Sequence, residues 1–445
     1  MEPESLTLLQ SIITSLGILR LTMGQAIMLL LGLFFLYLSI VKKFEPLLLL
    51  PLAFGIILAN LPIVGLGAYD YNPNGFKELS GMPLPDGQVC NAHQPGEACY
   101  HTTFLQNLMN FLYTGIRMVI YPPLIFLCIG TMTDFGPLIA SPRSALIGLG
   151  GQLGIFIAMG VSYFVGNALA PILAPLLPAL DEFGNVKVDD LGNVIGIFKG
   201  FTLKESAAIG IIGSSDGPTS IFAATRLAPD LLPAIAIAAF SYMALVPFIQ
   251  PPIMLALTTK KERVVVMPDP KQVTQKQKVL FPIILGLVVL LLVPAAGALV
   301  AMLCLGNLIR ESGVTDRYVR AFQNDFLSIL TFLVALSIGS SATASRFLTP
   351  QTLIILASGL LAFAFGTIGG VLVAKLLCFI TKGKVNPLIG NSGVSAMPMA
   401  ARISQKMGQR FNSENHLLMH AMGPIVSSTI GSAIIAGIFI SYFAH

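Results

Sequence analysis

Ile212-Gly213-Ser214-Ser215-Asp216-Gly217-Pro218 interrupts an otherwise apolar run from 205 to 226. Pro218 has no backbone N–H to give to a helix ladder, and its ring pushes Gly217 away from helical geometry. A helix through this run must therefore break at Asp216. Unwound backbone at membrane depth is tolerated only inside protein or beside a water-filled cavity, where its freed carbonyls can bind a cation. A carboxylate there costs about 2.5–3.5 kcal/mol on insertion scales, so Asp216 wants a counter-charge, which a bound Na⁺ would provide. The plainer alternative makes Asp216 the cap of a second half-helix.

That this run lies in a membrane follows from composition. Of 445 residues 55% are hydrophobic and 11% charged, and the mean hydropathy is +0.81, whereas a soluble domain carries about 25% charged residues. Apolar stretches recur at 24–41, 46–62, 121–140, 144–177, 229–257, 279–303, 325–339, 351–379 and 416–443, several near the roughly 20 residues that span hydrocarbon. No ten-residue segments of alternating polarity suggest a barrel. The expectation is an all-α polytopic membrane protein. Residues 1–23 lack the basic start and small-residue cleavage site of a signal peptide and are expected to remain as an N-terminal segment. Cys128, Cys304 and Cys378 fall in apolar segments and read as packing residues, while Cys90 and Cys99 lie in a polar loop where a disulfide is plausible if that loop faces an oxidising compartment.

Basic residues set the orientation. The stretch 259–278 holds Lys260, Lys261, Arg263, Lys271, Lys276 and Lys278 against Glu262 and Asp269, and reads as cytoplasmic. The loops 63–103 and 178–204 lean acidic and read as extracytoplasmic. On either side of the basic loop the same patterns return in the same order, dividing the chain into a first membrane repeat at 24–258 and a second at 279–445. Phe54-Gly55-Ile56-Ile57 answers Leu305-Gly306-Asn307-Leu308, and Ser141-Pro142-Arg143 answers Thr349-Pro350-Gln351. Ile212 to Pro218, with Arg226 after it, answers Ile389-Gly390-Asn391-Ser392-Gly393-Val394-Ser395 with Arg402. The loop assignments put the Ser-Pro turn inside and its Thr-Pro counterpart outside, which makes the repeats inverted. Such repeats place a substrate site at their interface, on discontinuous helices. Two apolar segments between 204 and 259 where an odd number of crossings is required also call for a broken or re-entrant segment.

The second interrupted segment, Asn386-Pro387 to Arg402, offers Asn386, Asn391, Ser392 and Ser395 as oxygen ligands of the kind hard cations take, beside the Ser215 hydroxyl and Gly390 backbone. Close packing of small residues is the alternative. Tyr242 can donate and accept a phenolic hydrogen bond in its apolar helix, or simply pack. Arg402 could be a cytoplasmic anchor. Arg117, Arg143 and Lys375, near segment ends, read as snorkelling, and Asp134 as a turn residue or a second polar intramembrane group. His93, His101, His416 and His420 have no metal-ligand spacing. No phosphate-cradling G-x-x-x-x-G-K-[ST], His-Glu-x-x-His or G-x-S-x-G occurs, which argues against an ATP-driven pump and against hydrolysis.

Three long motifs carry a resemblance: Gly213-Ser214-Ser215-Asp216-Gly217-Pro218-Thr219, Ala239-Phe240-Ser241-Tyr242-Met243-Ala244-Leu245-Val246-Pro247, and Asn386 to Gly390 continued by Gly393 to Arg402. Lys42-Lys43-Phe44-Glu45-Pro46 and Met132-Thr133-Asp134-Phe135-Gly136-Pro137 join them. Over nearly its whole length the chain resembles the β subunit of sodium-pumping biotin-dependent decarboxylases, a family that includes oxaloacetate, methylmalonyl-CoA, glutaconyl-CoA and malonate decarboxylases. The resemblance implies a subunit that releases CO₂ from carboxybiotin, exports Na⁺ and consumes an external proton, built as an elevator-like core against a scaffold. It implies a bacterial inner-membrane location and these partners: a carboxyltransferase α subunit, a biotin carrier protein or domain, a small membrane-anchored γ/δ subunit, membrane lipid and further copies of the chain, with no nucleic acid. Biotin must ride on a partner, because no Ala-Met-Lys-Met sequence occurs here. Carried over by motif position, Asp216, Tyr242, Asn386, Gly390, Ser395 and Arg402 are functional. Asp216 and Ser395 would sit near Na⁺, Tyr242 would serve proton delivery, and Asn386 and Arg402 would meet the biotin cofactor. Ser214-Ser215 depart from the smaller residues common in relatives. An autonomous Na⁺-coupled carrier of organic anions and a non-transporting scaffold are the alternatives.

Overall fold

The computed structural model describes residues 21–43, 45–61, 104–173, 198–268, 272–397 and 399–443. Cys90, Cys99, His93, His101 and most of the two acid-leaning loops lie outside the described residues. Among the described residues the regular structure is entirely helical. Among these residues seven helices are long and apolar enough to cross a membrane, or up to nine if each of two bent pairs is one span. The chain is a polytopic α-helical membrane protein. It forms two compact units, Met1–Met118 with Thr331–Leu348, and Val119–Leu330 with Thr349–His445.

The first unit contains α1 (Met23–Ile40), α2 (Pro46–Asn60), α3 (Phe104–Arg117) and a long stretch contributed from later in the chain. Thr22 and Gln25 close a capping box that starts α1. α2 packs against the later stretch with its backbone almost in contact: a Cβ on Gly55 would lie 2.7 Å from the Leu336 carbonyl oxygen, and one on Gly339 2.2 Å from that of Leu52. Only glycine permits so close an approach. Asn60 seals the end of this crossing, donating to the Ala342 carbonyl (2.8 Å) and accepting from the Ala344 N–H (2.8 Å).

In the second unit α4 (Tyr121–Met132), α5 (Gly136–Ala140), α6 (Ala145–Gly151) and α7 (Leu153–Leu173) come first. The interrupted region holds α8 (Leu203–Gly210) and α9 (Gly217–Leu227), followed by the bent α10 (Leu232–Leu257) and the short α11 (Lys260–Arg263) of the basic loop. Then come α12 (Gln275–Leu292), α13 (Gly297–Glu311), α14 (Asp316–Arg320) and, through a π-helical turn at Ala321–Phe326, α15 (Leu327–Ser341), whose end lies in the first unit. α16 (Ala344–Phe347) belongs to the first unit, and α17 (Pro350–Ile380), α18 (Met399–Phe411) and α19 (Leu418–Phe443) complete the second. α4 crosses α13 as α2 crosses α15. A Cβ on Gly130 would lie 2.2 Å from the Leu303 oxygen, and one on Gly306 2.1 Å from the Leu127 oxygen. Each crossing sets Leu-x-x-Gly on Leu-x-x-Gly, and Gly55 and Gly306 are the pair that the sequence repeat aligns. Asn307 donates to the Thr133 carbonyl (2.7 Å) and Arg310 to that of Met132 (3.1 Å), satisfying the end of α4.

The apolar stretch 279–303 is two helices rather than one. Val293 leaves helical geometry and Pro294 opens a 3₁₀ turn, because Pro294 cannot supply the N–H that would continue α12. The extra crossing reverses the chain once more before α17. α17 ends beside the basic loop, where the Lys375 ammonium donates to the Leu257 carbonyl (3.0 Å) and pairs with Glu262 (3.6 Å). Ser141 and Arg143 line a cavity with Met267, Pro268 and Lys384, so the Ser141-Pro142 turn shares that face, while Thr349-Pro350 starts α17 at the far end. Asp134 is a turn residue. It accepts from the Gly136 N–H (2.8 Å) and pairs with Lys278 (3.5 Å). Cys128, Cys304 and Cys378 are buried free thiols.

Gly306→Ala should lower the thermal stability of the detergent-purified chain by about 1–3 kcal/mol, the cost of overpacking a closed contact. Gly160→Ala is the control, because a Cβ there meets nothing within 4 Å. Indistinguishable melting curves for the two variants would show that the α4–α13 crossing is not closed as described.

Candidate functional site

The first break is built on α7. Thr202 and Glu205 form the capping box that starts α8, and Asn167, near the end of α7, donates to the Phe201 carbonyl (3.0 Å). From there α8 runs back along α7 until Gly213 meets Gly154, where a Cβ would be 2.3 Å from the Gly154 carbonyl carbon. The helix then tightens to 3₁₀ over Ile211–Ser214. Ser215 takes φ 58°, a left-handed conformation uncommon for a residue with a Cβ, and its buried hydroxyl oxygen has no hydrogen-bond partner among the described residues. Asp216 is extended and caps α9. Its Oδ1 accepts from the Thr219 N–H (3.5 Å), and its Oδ2 from the hydroxyls of Thr219 (2.7 Å) and Ser432 (3.1 Å). The carboxylate is 5% exposed and, among the described residues, has no basic partner. Capping therefore orients Asp216 without neutralising it; the N-terminal dipole of α9 supplies only partial positive charge.

The second break enters and leaves on one face. Asn386 caps a 3₁₀ turn at Pro387–Gly393 by accepting from the Leu388 N–H (3.0 Å), and donates to the carbonyls of Arg263 (3.1 Å) and Val265 (2.8 Å). After α18, Asn412 donates to the Val264 carbonyl (3.3 Å) and Asn415 to that of Arg263 (3.0 Å). Both ends of the segment are thus stapled to the same three residues of the basic loop. Arg263 is fixed in turn by the Phe411 ring, 5.0 Å away. Nearby, burial pushes the Glu262 carboxyl up, but hydrogen bonds from Thr259 and the Lys375 charge outweigh it and hold the group below its ordinary value.

The inner tip of this segment touches the first break directly. The Ser395 N–H donates to the Ser214 carbonyl (2.9 Å). Glycines allow the approach: a Cβ on Gly151 would lie 1.7 Å from the Gly393 oxygen, and one on Gly366 3.0 Å from the Gly151 oxygen and 3.2 Å from that of Gly213. Gly366 is near mid-length of the 31-residue α17, about 21 Å from its end at 1.5 Å per residue. The contact lies at the depth where a spanning helix is farthest from water on both sides.

The sequence-predicted residues divide into three groups. Ser215, Asp216 and Ser395 come together at this contact. Asn391 and Gly390 support it. The Asn391 amide donates to Gln250 (3.0 Å) and the Ala400 carbonyl (2.9 Å), its side-chain oxygen accepts from Ser404 and Ser392, and its backbone oxygen accepts from Gln250 (3.0 Å). Gly390 packs on Gly370, whose oxygen would be 2.6 Å from a Cβ. Tyr242, Asn386 and Arg402 lie apart. The Tyr242 hydroxyl donates to the Leu356 carbonyl and its ring fills the space over Gly359, next to Ile212. Arg402 is exposed on α18 and has no partner among the described residues. Sequence reasoning missed Thr219, Gln152, Ser428 and Ser432. Ser428 Oγ accepts from Ser395 (3.1 Å) and Gln152 (3.0 Å) while Ser432, one turn on, reaches Asp216, so α19 joins both breaks.

Among the described residues no group of three or more His, Cys, Asp or Glu side chains could hold a metal ion. The donors here are hydroxyls, amide oxygens, freed carbonyls and one carboxylate, a set suited to a hard monovalent cation.

The family model for the Na⁺-transporting oxaloacetate decarboxylase beta subunit matches residues 24–443. The chain is 44% identical over 458 aligned positions to oxaloacetate decarboxylase beta chain 2 of Salmonella typhi, covering 98% of each. It is 44% identical over 437 positions to methylmalonyl-CoA decarboxylase subunit beta of Veillonella parvula, again with 98% of each covered. The oxaloacetate decarboxylase beta chain of Klebsiella pneumoniae is similar at 44% over 457 positions, with the same coverage. These names leave the autonomous anion carrier unfavoured. A multi-spanning helical chain matched end to end by these subunits, with an uncompensated carboxylate where two broken helices meet, belongs to the family of membrane β subunits of Na⁺-transporting decarboxylases.

Proposed function

We propose that this chain, in the bacterial cytoplasmic membrane with loop 259–278 in the cytoplasm, decarboxylates carboxybiotin and exports Na⁺ in the same cycle. The observation that carries the proposal is the buried Asp216 carboxylate, without a basic partner among the described residues and joined through Ser214 to the Ser395 segment. Na⁺ would bind Asp216, Ser395 and the open Ser215 hydroxyl, with freed carbonyls of the two 3₁₀ turns nearby. Asn386, Asn391 and Gly390 would hold the second segment in position. Two inverted repeats then put the cation at their interface, with a broken helix from each.

Carboxybiotin would arrive from the cytoplasmic face on a carrier protein or domain, in a complex with a carboxyltransferase α subunit and a small γ/δ subunit. Arg402, the exposed cation of α18, is the group suited to meet it, while the buried Asn386 holds the mouth of the second segment. In the reaction the bond from the ureido nitrogen to the carboxylate carbon breaks, its electron pair returns to nitrogen, CO₂ leaves, and the nitrogen takes one proton. One proton is therefore consumed per turnover. Tyr242, with its hydroxyl against α17 beside the first break, is the proposed relay. Oxaloacetate, the acid named in most of the relatives, is the favoured source of the carboxyl group, with methylmalonyl-CoA next.

In vesicles holding the intact complex, Asp216→Asn should abolish Na⁺ uptake and carboxybiotin decarboxylation together. Retention of both would sink the proposal. Ser395→Ala should raise the Na⁺ concentration for half-maximal decarboxylation by about tenfold, the loss of one ion–dipole contact of about 1.4 kcal/mol. An unchanged concentration dependence would remove Ser395 from the site.

A further inference from the structure

Gln152 is 3% exposed at the junction of α6 and α7, within the apolar span Pro142–Leu173. Its amide nitrogen donates to three acceptors: the carbonyls of Gly148 (3.3 Å) and Ser428 (3.1 Å) and the Ser428 hydroxyl (3.0 Å). With three oxygens around one end of the amide, that end must be the NH₂ group, which fixes the orientation of the side chain. The other end, Oε1, is buried and has no hydrogen-bond partner among the described residues. An amide oxygen orphaned away from water is costly unless something fills the place of water.

Its surroundings say what fills it. The Ser428 hydroxyl accepts from Gln152 and, on its other side, from the Ser395 hydroxyl (3.1 Å). Ser395 uses its proton in that bond and accepts none among the described residues, so its lone pairs are open as well. Gln152 Oε1 and Ser395 Oγ are thus two acceptor-only oxygens held by one hub. One turn along α19, Ser432 donates to Asp216, which brings the only carboxylate of the cluster to the same helix face.

We infer that the Gln152 side-chain oxygen is a ligand for the transported monovalent cation, paired with the Ser395 hydroxyl and positioned by Ser428. The inference rests on the proposed cation role of Asp216 and Ser395 and adds a ligand from a helix outside both breaks. It makes the α6–α7 junction part of the binding shell: with Gly154 packed on Gly213 and Gly151 on Gly393, this junction contacts both broken segments.

The test is the Na⁺ and Li⁺ concentration dependence of decarboxylation by the intact complex in vesicles, for wild type, Gln152→Leu, Gln152→Glu and Asp216→Asn. Gln152→Leu should raise half-saturating Na⁺ about tenfold, the size expected for one lost charge–dipole contact. Gln152→Glu, which keeps an oxygen, should recover most of that affinity and change the Li⁺-to-Na⁺ ratio of half-saturating concentrations. A merely structural role would lower the maximal rate or the yield while leaving half-saturation and the ratio at wild-type values. That result, in Gln152→Leu or, if it fails to accumulate, in Gln152→Glu, would overturn the inference and mean that a water occupies the oxygen. If Asp216→Asn keeps both activities, the underlying proposal falls instead, whatever Gln152 does.

Discussion

The hydrogen bond from the Ser395 N–H to the Ser214 carbonyl is the constraint on which the second unit depends. A broken helix exposes backbone groups that hydrocarbon cannot satisfy, so each break has to find partners inside the protein. Here the two breaks partly satisfy each other. For that they must meet at one depth, which requires the bare glycine contacts of Gly151, Gly213, Gly366 and Gly393. The long helices around them are set by this meeting, since side chains larger than hydrogen would hold the two turns apart.

The same arrangement leaves the charge of Asp216 uncancelled. Its three donors are an N–H and two hydroxyls, all neutral. Neutral donors orient a carboxylate but do not cancel it, and in a low-dielectric interior the residual charge attracts any cation that can reach it. The stapling of Asn386, Asn412 and Asn415 to residues 263–265 bears on access. It ties the second break to the basic loop, so displacement of that loop would be felt at Ser395 through a single continuous segment.

Much of this was legible in the sequence, for reasons that also explain what was not. Asp216, Ser215 and Ser395 stand out because Gly, Pro and polar residues interrupt apolar runs, a one-dimensional signal. Gln152, Ser428 and Ser432 do not. Gln152 is a single polar residue among glycines in the apolar stretch 144–177, and its bond to Ser428 joins positions 276 residues apart. Asn391 was legible as a polar group, but its supporting role was not, because its partner Gln250 lies in another helix. The stretch 279–303 read as one span because an interior proline in an apolar run does not announce whether the helix kinks or turns. The Leu-x-x-Gly crossings were half visible: the repeat aligned Gly55 with Gly306, while Gly130 and Gly339, the residues they pack on, carry the same Leu-x-x-Gly pattern but lie too far along the chain for the sequence to pair them.

The charge balance of the site argues for the class of ion. Calcium-type sites gather 6–8 oxygens, typically with several carboxylates, and magnesium keeps near-octahedral geometry with its waters. Around Ser395 and Asp216 there is one carboxylate, and the remaining oxygens are neutral hydroxyls, amides and carbonyls. A divalent ion would leave a net positive charge buried, whereas a monovalent ion closes the balance to zero. Neutrality matters most for a cargo that must be released: an ion held by one charge and several dipoles is freed when that charge is taken up elsewhere. In the proposed reaction the one proton that ends on the ureido nitrogen would supply such an event by resting on Asp216 on its way, where it removes the only full charge holding the cation.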